Sequence, residues 1–436
     1  MDRIIDVINL PARSEWKSLM TRAVAETREL HDAVAAIIDD VRSRGDEALI
    51  EMAARFDGVK LNSLKVTADE IAEAVDRVPH ELKNAIAVAA KNISAFHKAQ
   101  RMTEISIDTM PGVRCTQKAV AIEKVGLYIP GGNSPLFSTV LMLAIPARLA
   151  GCRKIVMCTP PGKDGKVHPA ILYAAQIAGV SHIFKAGGAQ AVAAMAHGTE
   201  SIPRVSKIFG PGNRFVMEAK QQVSLGAAAI DMPAGPSEVM IIADAHANPE
   251  FVASDFLSQA EHGPDSQSIL LTTDAGLACD MPAVIERLLA TLPRQEMMRK
   301  SLSHSRIIVL HNDDEIMDFA NEYAPEHLII NRTDADELAS RVVNAGSVFI
   351  GGFSPESAGD YASGTNHTLP TSGYAKAFSG VNIDSFTKKI TFQHLTPEGL
   401  RSIGPAIEIL AANEDLMAHK LAVTVRLGNL EAGNNL

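Results

Sequence analysis

From about residue 113 onward, short runs rich in β-branched residues alternate with helical runs, and this alternation constrains the fold more than any other feature. KIVMCT and AILYAAQIAGV are one such pair of strand and helix. The pattern resumes after Pro236, where the strands EVMIIAD and SQSILLTTD flank the helix FVASDFLSQAEHG. Alternation at this spacing predicts parallel sheets covered by helices on both faces. The predicted fold class is α/β, with two doubly wound, incomplete Rossmann-like sheets.

The chain is long enough to divide into domains, because 436 residues exceed the size at which one hydrophobic core stops growing. Before the alternation begins, residues 30–100 repeat apolar residues at helical spacing, with Gly45 between two helices. The C-terminal end loses the strand pattern and is too short to bury a core alone, so we expect it to be helical and to pack on its own chain or on a partner. The predicted divisions are an N-terminal segment (1–29), a first α/β domain (30–124 with 239–381), a second α/β domain (125–238) and a C-terminal extension (382–436).

Charge and composition disfavour several classes of partner. The chain has 41 basic and 51 acidic residues, and a net charge of −10 disfavours nonspecific binding to nucleic acid or to an anionic membrane. The longest apolar stretch, from Val140, meets Pro146 and Arg148 well short of the roughly 20 residues of a membrane helix. The first residues lack the pattern of a secretory signal, and four dispersed cysteines form no disulfide scaffold. We therefore expect a cytoplasmic protein with neither nucleic acid nor membrane as partner.

Gln259 and His262 lie three residues apart at the end of a predicted helix, so they would share one face. A side-chain carbonyl and an imidazole that project together can bind a divalent metal if distant segments supply further ligands. The alternative is a polar helix end in which His262 caps carbonyl groups before Gly263 and Pro264. The pair alone does not decide between these interpretations.

Glycine clusters follow three predicted strands, at Gly131-Gly132, at Gly187-Gly188 and in FGPGNRF from 209 to 215. Loops at the carboxyl ends of parallel strands are where ligands bind in such sheets. None of the clusters is GxGxxG, since Phe215 stands where the third glycine should be. A nucleotide site and tight structural turns both remain open interpretations.

Adjacent Glu326 and His327 begin an apolar strand after Pro325, and in a cleft they could act as two general bases with distinct tasks. A solvated turn is the alternative. Asp360 lies in SPESAGDYASGTNHTLPT, which is too rich in small and polar residues for regular structure, and is a candidate oxygen ligand. Glu414 and His419 lie on a predicted C-terminal helix, where ordinary surface polarity is the default interpretation.

Three cysteines raise the possibility of a covalent mechanism in which a thiolate holds an aldehyde. They are Cys115, Cys152 and Cys158. Cys158 sits within the apolar run IVMC, and a small buried side chain is the favoured interpretation for these residues.

Several long motifs follow one another along the chain: GLYIPGGNSPLFSTVLMLAIPA, AGGAQAVAA, KIFGPGN, IDMPAGPSEV, SQAEHGPDSQ, APEHLI, FSPESAGDYASGTNHTLPT and AHKLAV. Taken together in this order, they resemble the histidinol dehydrogenase family. The resemblance extends from about residue 30 to 428. It implies oxidation of L-histidinol to L-histidine through L-histidinal, with two NAD and one water, by a homodimer whose C-terminal extension reaches the partner's active site.

The resemblance also implies a role for individual residues. One zinc per subunit would be bound by Gln259, His262, Asp360 and His419, and would anchor the substrate rather than activate the reacting oxygen. Glu326 and His327 would be the bases. Besides the four metal ligands and His327, Ser237 and Glu414 would contact the substrate, and Tyr128, Gln190 and Asn213 would contact NAD. The mechanism implied needs no cysteine.

Two alternatives to this function are weighed. A related dehydrogenase with another alcohol, such as a sulfonated diol, would share the zinc set, but a carboxylate at Glu414 complements histidinol and would repel a sulfonate. A binding protein without turnover would keep the fold, yet it would have no use for the two bases at Glu326 and His327.

Overall fold

The computed structural model describes residues 5–22, 28–131 and 134–432. The strands in these ranges are β1 (Asp6–Asn9), β2 (Ile105–Met110), β3 (Val113–Ala121), β4 (Lys124–Tyr128), β5 (Lys154–Thr159), β6 (His182–Lys185), β7 (Lys207–Phe209), β8 (Ala229–Ile230), β9 (Glu238–Ala243), β10 (Gln267–Thr272), β11 (Arg306–Val309), β12 (His327–Asn331), β13 (Ser347–Ile350) and β14 (Thr387–Leu395). The α-helices are α1 (Trp16–Leu19), α2 (Arg28–Arg44), α3 (Asp46–Met52), α4 (Ala68–Arg77), α5 (His80–Ala99), α6 (Phe137–Ala150), α7 (Pro169–Ala178), α8 (Gly188–His197), α9 (Arg214–Ser224), α10 (Pro249–Ala260), α11 (Ala275–Leu289), α12 (Gln295–Leu302), α13 (Asp313–Tyr323), α14 (Ala335–Ala339), α15 (Glu356–Tyr361), α16 (Pro397–Asn413) and α17 (Met417–Glu431).

Two fully parallel sheets form the larger of two compact units, which comprises residues 1–100 and 122–386. The six-stranded sheet has the order β1-β11-β10-β9-β12-β13, and the five-stranded sheet has the order β6-β5-β4-β7-β8. In the five-stranded sheet the chain adds β5 and β6 on one side of β4 and then crosses to β7 and β8 on the other side. In the six-stranded sheet it adds β10 and β11 on one side of β9, where β11 pairs with the edge strand β1, and then crosses to β12 and β13. The points of reversal lie between β9 and β12 and between β4 and β7. The predicted α/β class with two Rossmann-like sheets is confirmed.

Helices cover both faces of each sheet, which explains why the strands are apolar along their length. In β5, Val156 and Cys158 face a core shared with α2, α8 and α9, whereas Met157 faces a core shared with α5, α6 and α7. The six-stranded sheet likewise packs α10, α11 and α12 on one face and α13, α14 and the single tryptophan, Trp16, on the other.

The second compact unit joins residues 101–121 to residues 387–436. Its strands β2, β3 and β14 form an antiparallel sheet, and its helices α16 and α17 pack on each other. The expectation that strands end before residue 382 is wrong, because β14 pairs with β3 over nine residues. Seven of the nine β14 residues are exposed, so this strand carries no buried apolar run that would mark it in the sequence. The four sequence-based domain divisions stay a prediction.

No helix in the described part of the chain is both long enough and apolar enough to span a membrane. The apolar helix α6 has 14 residues and is almost entirely buried under the five-stranded sheet.

Candidate active site

Glu326 and His327 lie at the amino end of the six-stranded sheet, where β12 begins. Parallel pairing places Val239 of β9 opposite His327, so the first residue of β9, Glu238, lies beside both. The backbone N–H of Glu238 donates to Glu326 Oε2 at 2.9 Å, and the carbonyl oxygen of Glu238 lies 3.2 Å from His327 Nδ1. Both residues are buried, with 5% and 3% of their surface exposed. A solvated turn is therefore excluded for this pair.

The contact with Glu238 determines which nitrogen of His327 is available as a base. A carbonyl oxygen can only accept a hydrogen bond, so Nδ1 carries the proton when the ring is neutral. Nε2 is buried without a hydrogen-bond partner among the described residues, and lies 3.5 Å from Asp360 Oδ1. The lone pair of Nε2 is thus the basic site.

Three side chains next to His327 form a cluster suited to a cation. The candidate ligand atoms of His262, Glu356 and Asp360 all lie within 4.8 Å of one another. Glu356 Oε1 is 3.9 Å from His262 Nε2 and 3.8 Å from His327 Nδ1. The sequence interpretation singled out His262 and Asp360 but missed Glu356, although it lies in the same motif as Asp360. Its spacing of four from Asp360 was the available signal.

The local structure around the cluster differs from the sequence expectation at two points. Helix α10 ends at Ala260, so Gln259 is helical while His262 lies in the following turn, where its N–H donates to the Gln259 carbonyl at 3.2 Å. Asp360 was expected in an irregular loop, but it lies in the short helix α15. Pro355 precedes this helix, and its fixed φ suits the residue before a first turn. One helical turn then brings Glu356 and Asp360 to the same side.

The electrostatics of the cluster follow from burial and from the histidine at its centre. Burial raises the pKa of Glu326 and that of Glu356 to about 8, partly offset by the charge on His327. Burial alone would lower the pKa of His327, but Glu356, Glu326 and Asp360 raise it well above its ordinary value. Burial opposes ionisation of Asp360, yet its contact with His327 lowers its pKa below the ordinary value. The cluster thus places three carboxyl groups around one histidine, and a cation bound there would favour their ionised forms and the neutral imidazole ring that a base requires.

Unsatisfied buried atoms support the fit of a metal. Gln259 is fully buried, and neither its amide oxygen nor its amide nitrogen has a hydrogen-bond partner among the described residues. Both carboxylate oxygens of Glu356 are also buried without a hydrogen-bond partner among the described residues. A buried polar group without a partner costs about 1–3 kcal/mol, and coordination would remove that cost. Imidazole nitrogen with carboxylate and amide oxygen is a donor set that accommodates zinc.

Arg22 binds the side chain of Glu238, whose backbone contacts both bases. Arg22 Nε and Nη2 donate to the Glu238 carboxylate at 2.7 and 2.9 Å, and the guanidinium lies 3.9 Å from the ring centroid of Tyr323. Ser372 N–H also donates to this carboxylate. Arg22 and Glu238 are not among the predicted site residues, because Glu238 contacts the bases through its backbone. Ser237 precedes β9 and therefore lies at the same edge of the sheet.

The predicted NAD residues lie on the five-stranded sheet and at the first turns of the helices that follow it. Tyr128 ends β4 beside the point where the strand order reverses, and its hydroxyl accepts from Gly188 N–H at 3.1 Å. Burial raises the pKa of Tyr128 to about 12, so the hydroxyl stays neutral. Gln190 is buried in the first turn of α8. A crevice at the carboxyl ends of strands, at the point of reversal, is where dinucleotides bind in such sheets.

Asn213 is exposed and caps α9, accepting from the N–H groups of Phe215 and Val216 through Oδ1. Its amide NH₂ is left as the group that would donate to a nucleotide. Gly132, of the first predicted glycine cluster, lies outside the described residues.

Glu414 and His419 belong to the second compact unit, and both are exposed. The expectation of one helix carrying both is wrong: α16 ends at Asn413 and α17 begins at Met417. Asp415 between them has a φ of 56°, a left-handed conformation that interrupts the helix.

The cysteines do not contribute to the cluster. Cys158 is completely buried in the core, as predicted, and burial raises the pKa of its thiol above the ordinary range. Cys152 is partly buried, and burial raises its pKa to about 11. Cys115 lies on β3 of the second unit and is also partly buried. A thiolate nucleophile is therefore not supported.

Known proteins are similar to this chain over almost its whole length. The model of the family described as histidinol dehydrogenase matches residues 20–427. A histidinol dehydrogenase from Bacteroides fragilis is 62% identical over 421 residues, which cover 97% of this chain and 98% of the relative. One from Escherichia coli K12 is 54% identical over 430 residues, which cover 98% of each chain. The crystal structure of histidinol dehydrogenase from Elizabethkingia anophelis matches with a TM-score of 0.96 at 50% identity, covering 99% of this chain and 100% of that one.

Proposed function

The chain belongs to the histidinol dehydrogenase family, and from that premise we propose that it oxidises L-histidinol to L-histidine through L-histidinal, using NAD. Membership makes it an oxidoreductase of histidine biosynthesis. The observation that carries the finer proposal is the buried cluster in which His327 lies between Glu326 and Asp360, with its Nε2 making no hydrogen bond to any described residue. A positioned base that removes the hydroxyl proton is suited to the oxidation of an alcohol.

Zinc fits the site, and Gln259, His262, Asp360 and His419 of the partner subunit would hold it. Bound there, it supplies a fixed positive charge that anchors the nitrogen atoms of the substrate. The buried amide of Gln259, which has no hydrogen-bond partner in the described part of the chain, and the grouping of His262 with Asp360 support this assignment. Glu356 contacts both His262 and His327, and we assign it the role of orienting them.

NAD would be held by Tyr128, Gln190 and Asn213, and it supplies the acceptor of two electrons in each oxidation. Support comes from the position of Tyr128 at the point where the strand order reverses. The close packing of Gly188 against the Tyr128 hydroxyl brings the amino end of α8 to the same crevice.

In the first oxidation, His327 takes the proton of the substrate hydroxyl. Nε2 is the atom that accepts it, because Nδ1–H is held by the Glu238 carbonyl. The resulting imidazolium is stabilised by Asp360, whose Oδ1 lies 3.5 Å from Nε2. Removing the hydroxyl proton raises the electron density on the carbinol carbon, so that the C–H bond breaks, its hydrogen leaves as hydride with both electrons, and the C=O bond of the aldehyde forms.

In the second oxidation, Glu326 assists the addition of water to the aldehyde. Its Oε2 is fixed by the Glu238 N–H, whereas Oε1 makes no hydrogen bond within the described residues and can take the proton of the water. The hydrate, with one oxygen deprotonated, then loses the hydrogen on its carbon as hydride, with both electrons of the C–H bond, and its remaining hydroxyl proton, so that the carboxylate is the product. A carboxyl whose pKa is raised by burial to about 8 is well suited to exchanging protons near neutral pH.

We further propose a cytoplasmic homodimer whose active sites include Glu414 and His419 of the partner subunit, with Ser237 and Glu414 contacting the substrate. In the second unit, large apolar side chains are exposed, and such surfaces mark interaction sites. They include Ile107, Phe392, Ile409, Leu410, Leu421 and Val425. The four free cysteines suit a reducing compartment.

The test is the amount of NADH formed from limiting L-histidinol by the purified, zinc-loaded protein. We expect two NADH per histidinol, loss of activity on chelation, and recovery with added zinc. One NADH per histidinol would remove the second oxidation from the proposal. No NADH from histidinol but turnover of another amino or sulfonated alcohol would replace the substrate.

A further inference from the structure

A completely buried ion pair lies under the loop that follows β7. Lys220 of α9 and Asp231, which follows β8, have side chains only 2% and 1% exposed, and Lys220 Nζ lies 2.5 Å from Asp231 Oδ1. Neither residue belongs to the candidate active site. A buried ion pair contributes little net stability compared with apolar side chains of the same size, because both charges lose their hydration. The pair therefore needs an explanation other than stability.

Both charged groups also bind the backbone of one residue, Gly210. Lys220 Nζ donates to the Gly210 carbonyl at 2.8 Å, and the Gly210 N–H donates to Asp231 Oδ2 at 2.8 Å. Oδ1 of Asp231, the oxygen that pairs with Lys220, also accepts a hydrogen bond from Met232 N–H at 2.8 Å. The two backbone polar groups of Gly210 are thus fixed by charged partners, and rotation of either adjacent peptide would break a charge-assisted hydrogen bond.

Gly210 is held in a conformation and at a distance that suit no other residue. Its φ is +126°, and a Cβ atom at this position would lie 2.1 Å from the Tyr128 carbonyl oxygen. The loop is thus pressed against the end of β4, next to a proposed NAD contact. Three residues later, Asn213 begins α9 as its capping residue. The loop therefore links Tyr128 and Asn213 across the point of strand reversal.

We propose that Lys220 and Asp231 are positioning residues for NAD, and that they act by fixing the Gly210 peptide. They hold the loop of residues 210–213 in the shape that places Tyr128 and Asn213 on either side of the dinucleotide. The inference rests on the proposed function, since it requires that NAD bind at this crevice. It predicts that the ion pair controls NAD affinity and leaves histidinol and zinc binding unchanged.

The test measures NADH binding directly, through the change in NADH fluorescence, for the zinc-loaded wild type and two variants. Lys220→Met removes the positive charge, and Lys220→Met/Asp231→Asn also removes the unpaired negative charge that would hinder folding. We expect NADH affinity to fall about tenfold or more in both, with histidinol affinity and zinc content within about twofold of wild type. Amide hydrogen exchange of Gly210, Gly212 and Asn213 should also become faster.

Arg332→Met is the matched control, because it breaks the ion pairs of a mostly buried arginine that directly follows β12 of the six-stranded sheet. Its NADH affinity should stay at the wild-type value. Unchanged NADH affinity in the folded double variant would overturn the inference, as would an equal loss of histidinol and NADH affinity. Failure of the wild type to bind NADH would instead contradict the proposed function.

Discussion

The backbone of Glu238 contacts both proposed bases, with its carbonyl oxygen 3.2 Å from His327 Nδ1 and its N–H donating to Glu326. A backbone contact of this kind does not titrate and does not depend on the side chain at position 238. It fixes the ring of His327 with Nε2 available and leaves Oε1 of Glu326 available. The first residue of one strand thus orients the acid-base groups of its neighbour.

His327→Asn should nearly abolish turnover, because asparagine can still donate to the Glu238 carbonyl but cannot accept the substrate proton as an imidazole does. A positioned general base contributes about a hundredfold to ten-thousandfold, so we expect kcat to fall within that range. Zinc content, measured by elemental analysis, should be unchanged. Turnover within a few fold of wild type would contradict the assignment of the base.

Asp360→Asn and Glu356→Gln separate a metal ligand from an orienting carboxylate. Asp360→Asn removes the charge from a proposed ligand, so the affinity for zinc should fall about tenfold or more. Glu356→Gln keeps the shape of the side chain, so we expect zinc affinity within a few fold of wild type but a lower kcat. Competition with a chelating dye measures the affinities. If both variants lost zinc equally, Glu356 would itself be a ligand.

Arg22→Met should lower the free energy of unfolding, because it leaves the Glu238 carboxylate buried without its ion partner. The side chain of Glu238 is only 3% exposed, and breaking a buried pair of this kind costs about 3–5 kcal/mol. Arg287→Met breaks an exposed pair with Glu250 and should cost less than about 1 kcal/mol. Urea unfolding followed by the fluorescence of Trp16, buried in the same unit, measures both. If both variants lost the same free energy of unfolding, burial would not make the Arg22–Glu238 pair more stabilising than the exposed pair.

Thiol-blocking reagents should leave turnover unchanged. Cys158 is completely buried, and burial raises the pKa of Cys152 to about 11, so neither forms much thiolate near neutral pH. Cys279 is exposed and should react with iodoacetamide, as mass spectrometry would show. All four cysteines should react after unfolding, which is the control. If turnover were lost at the same rate as Cys152 or Cys158 was labelled, a covalent mechanism would be supported instead.

The two parallel sheets could be predicted because strands buried on both faces are apolar along their length and alternate with helices at regular spacing. Glu238 could not be predicted, since its role depends on its backbone and on the register between β9 and β12. Arg22 is 216 residues from its partner, and nothing local marks that contact. Asp360 was found as a candidate, but its helix was missed because glycine and serine dominate the surrounding motif. Residue types thus indicated the chemistry, whereas tertiary contacts determined the supporting groups.

A shared active site predicts that two inactive variants regain activity when they are mixed. His327→Ala removes the base of a subunit's own site, whereas His419→Ala removes a ligand that the subunit would give to its partner. In a hybrid dimer, the subunit carrying His419→Ala keeps its own His327 and receives an intact His419 of the partner subunit, so one of the two sites is complete. Random mixing makes half of the dimers hybrids, so activity should recover to about a quarter of the wild-type value.

The control for this experiment mixes His327→Ala with Glu326→Ala. Both substitutions damage the site of the subunit that carries them, so neither site of a hybrid is complete and no recovery is expected. Mild denaturation and refolding of each mixture allows the subunits to exchange, and NADH formation measures the result. If the His327→Ala and His419→Ala mixture stayed as inactive as the control after proven exchange, each site would be built within a single chain. The exposed apolar residues of the second unit would then need another explanation than a shared site.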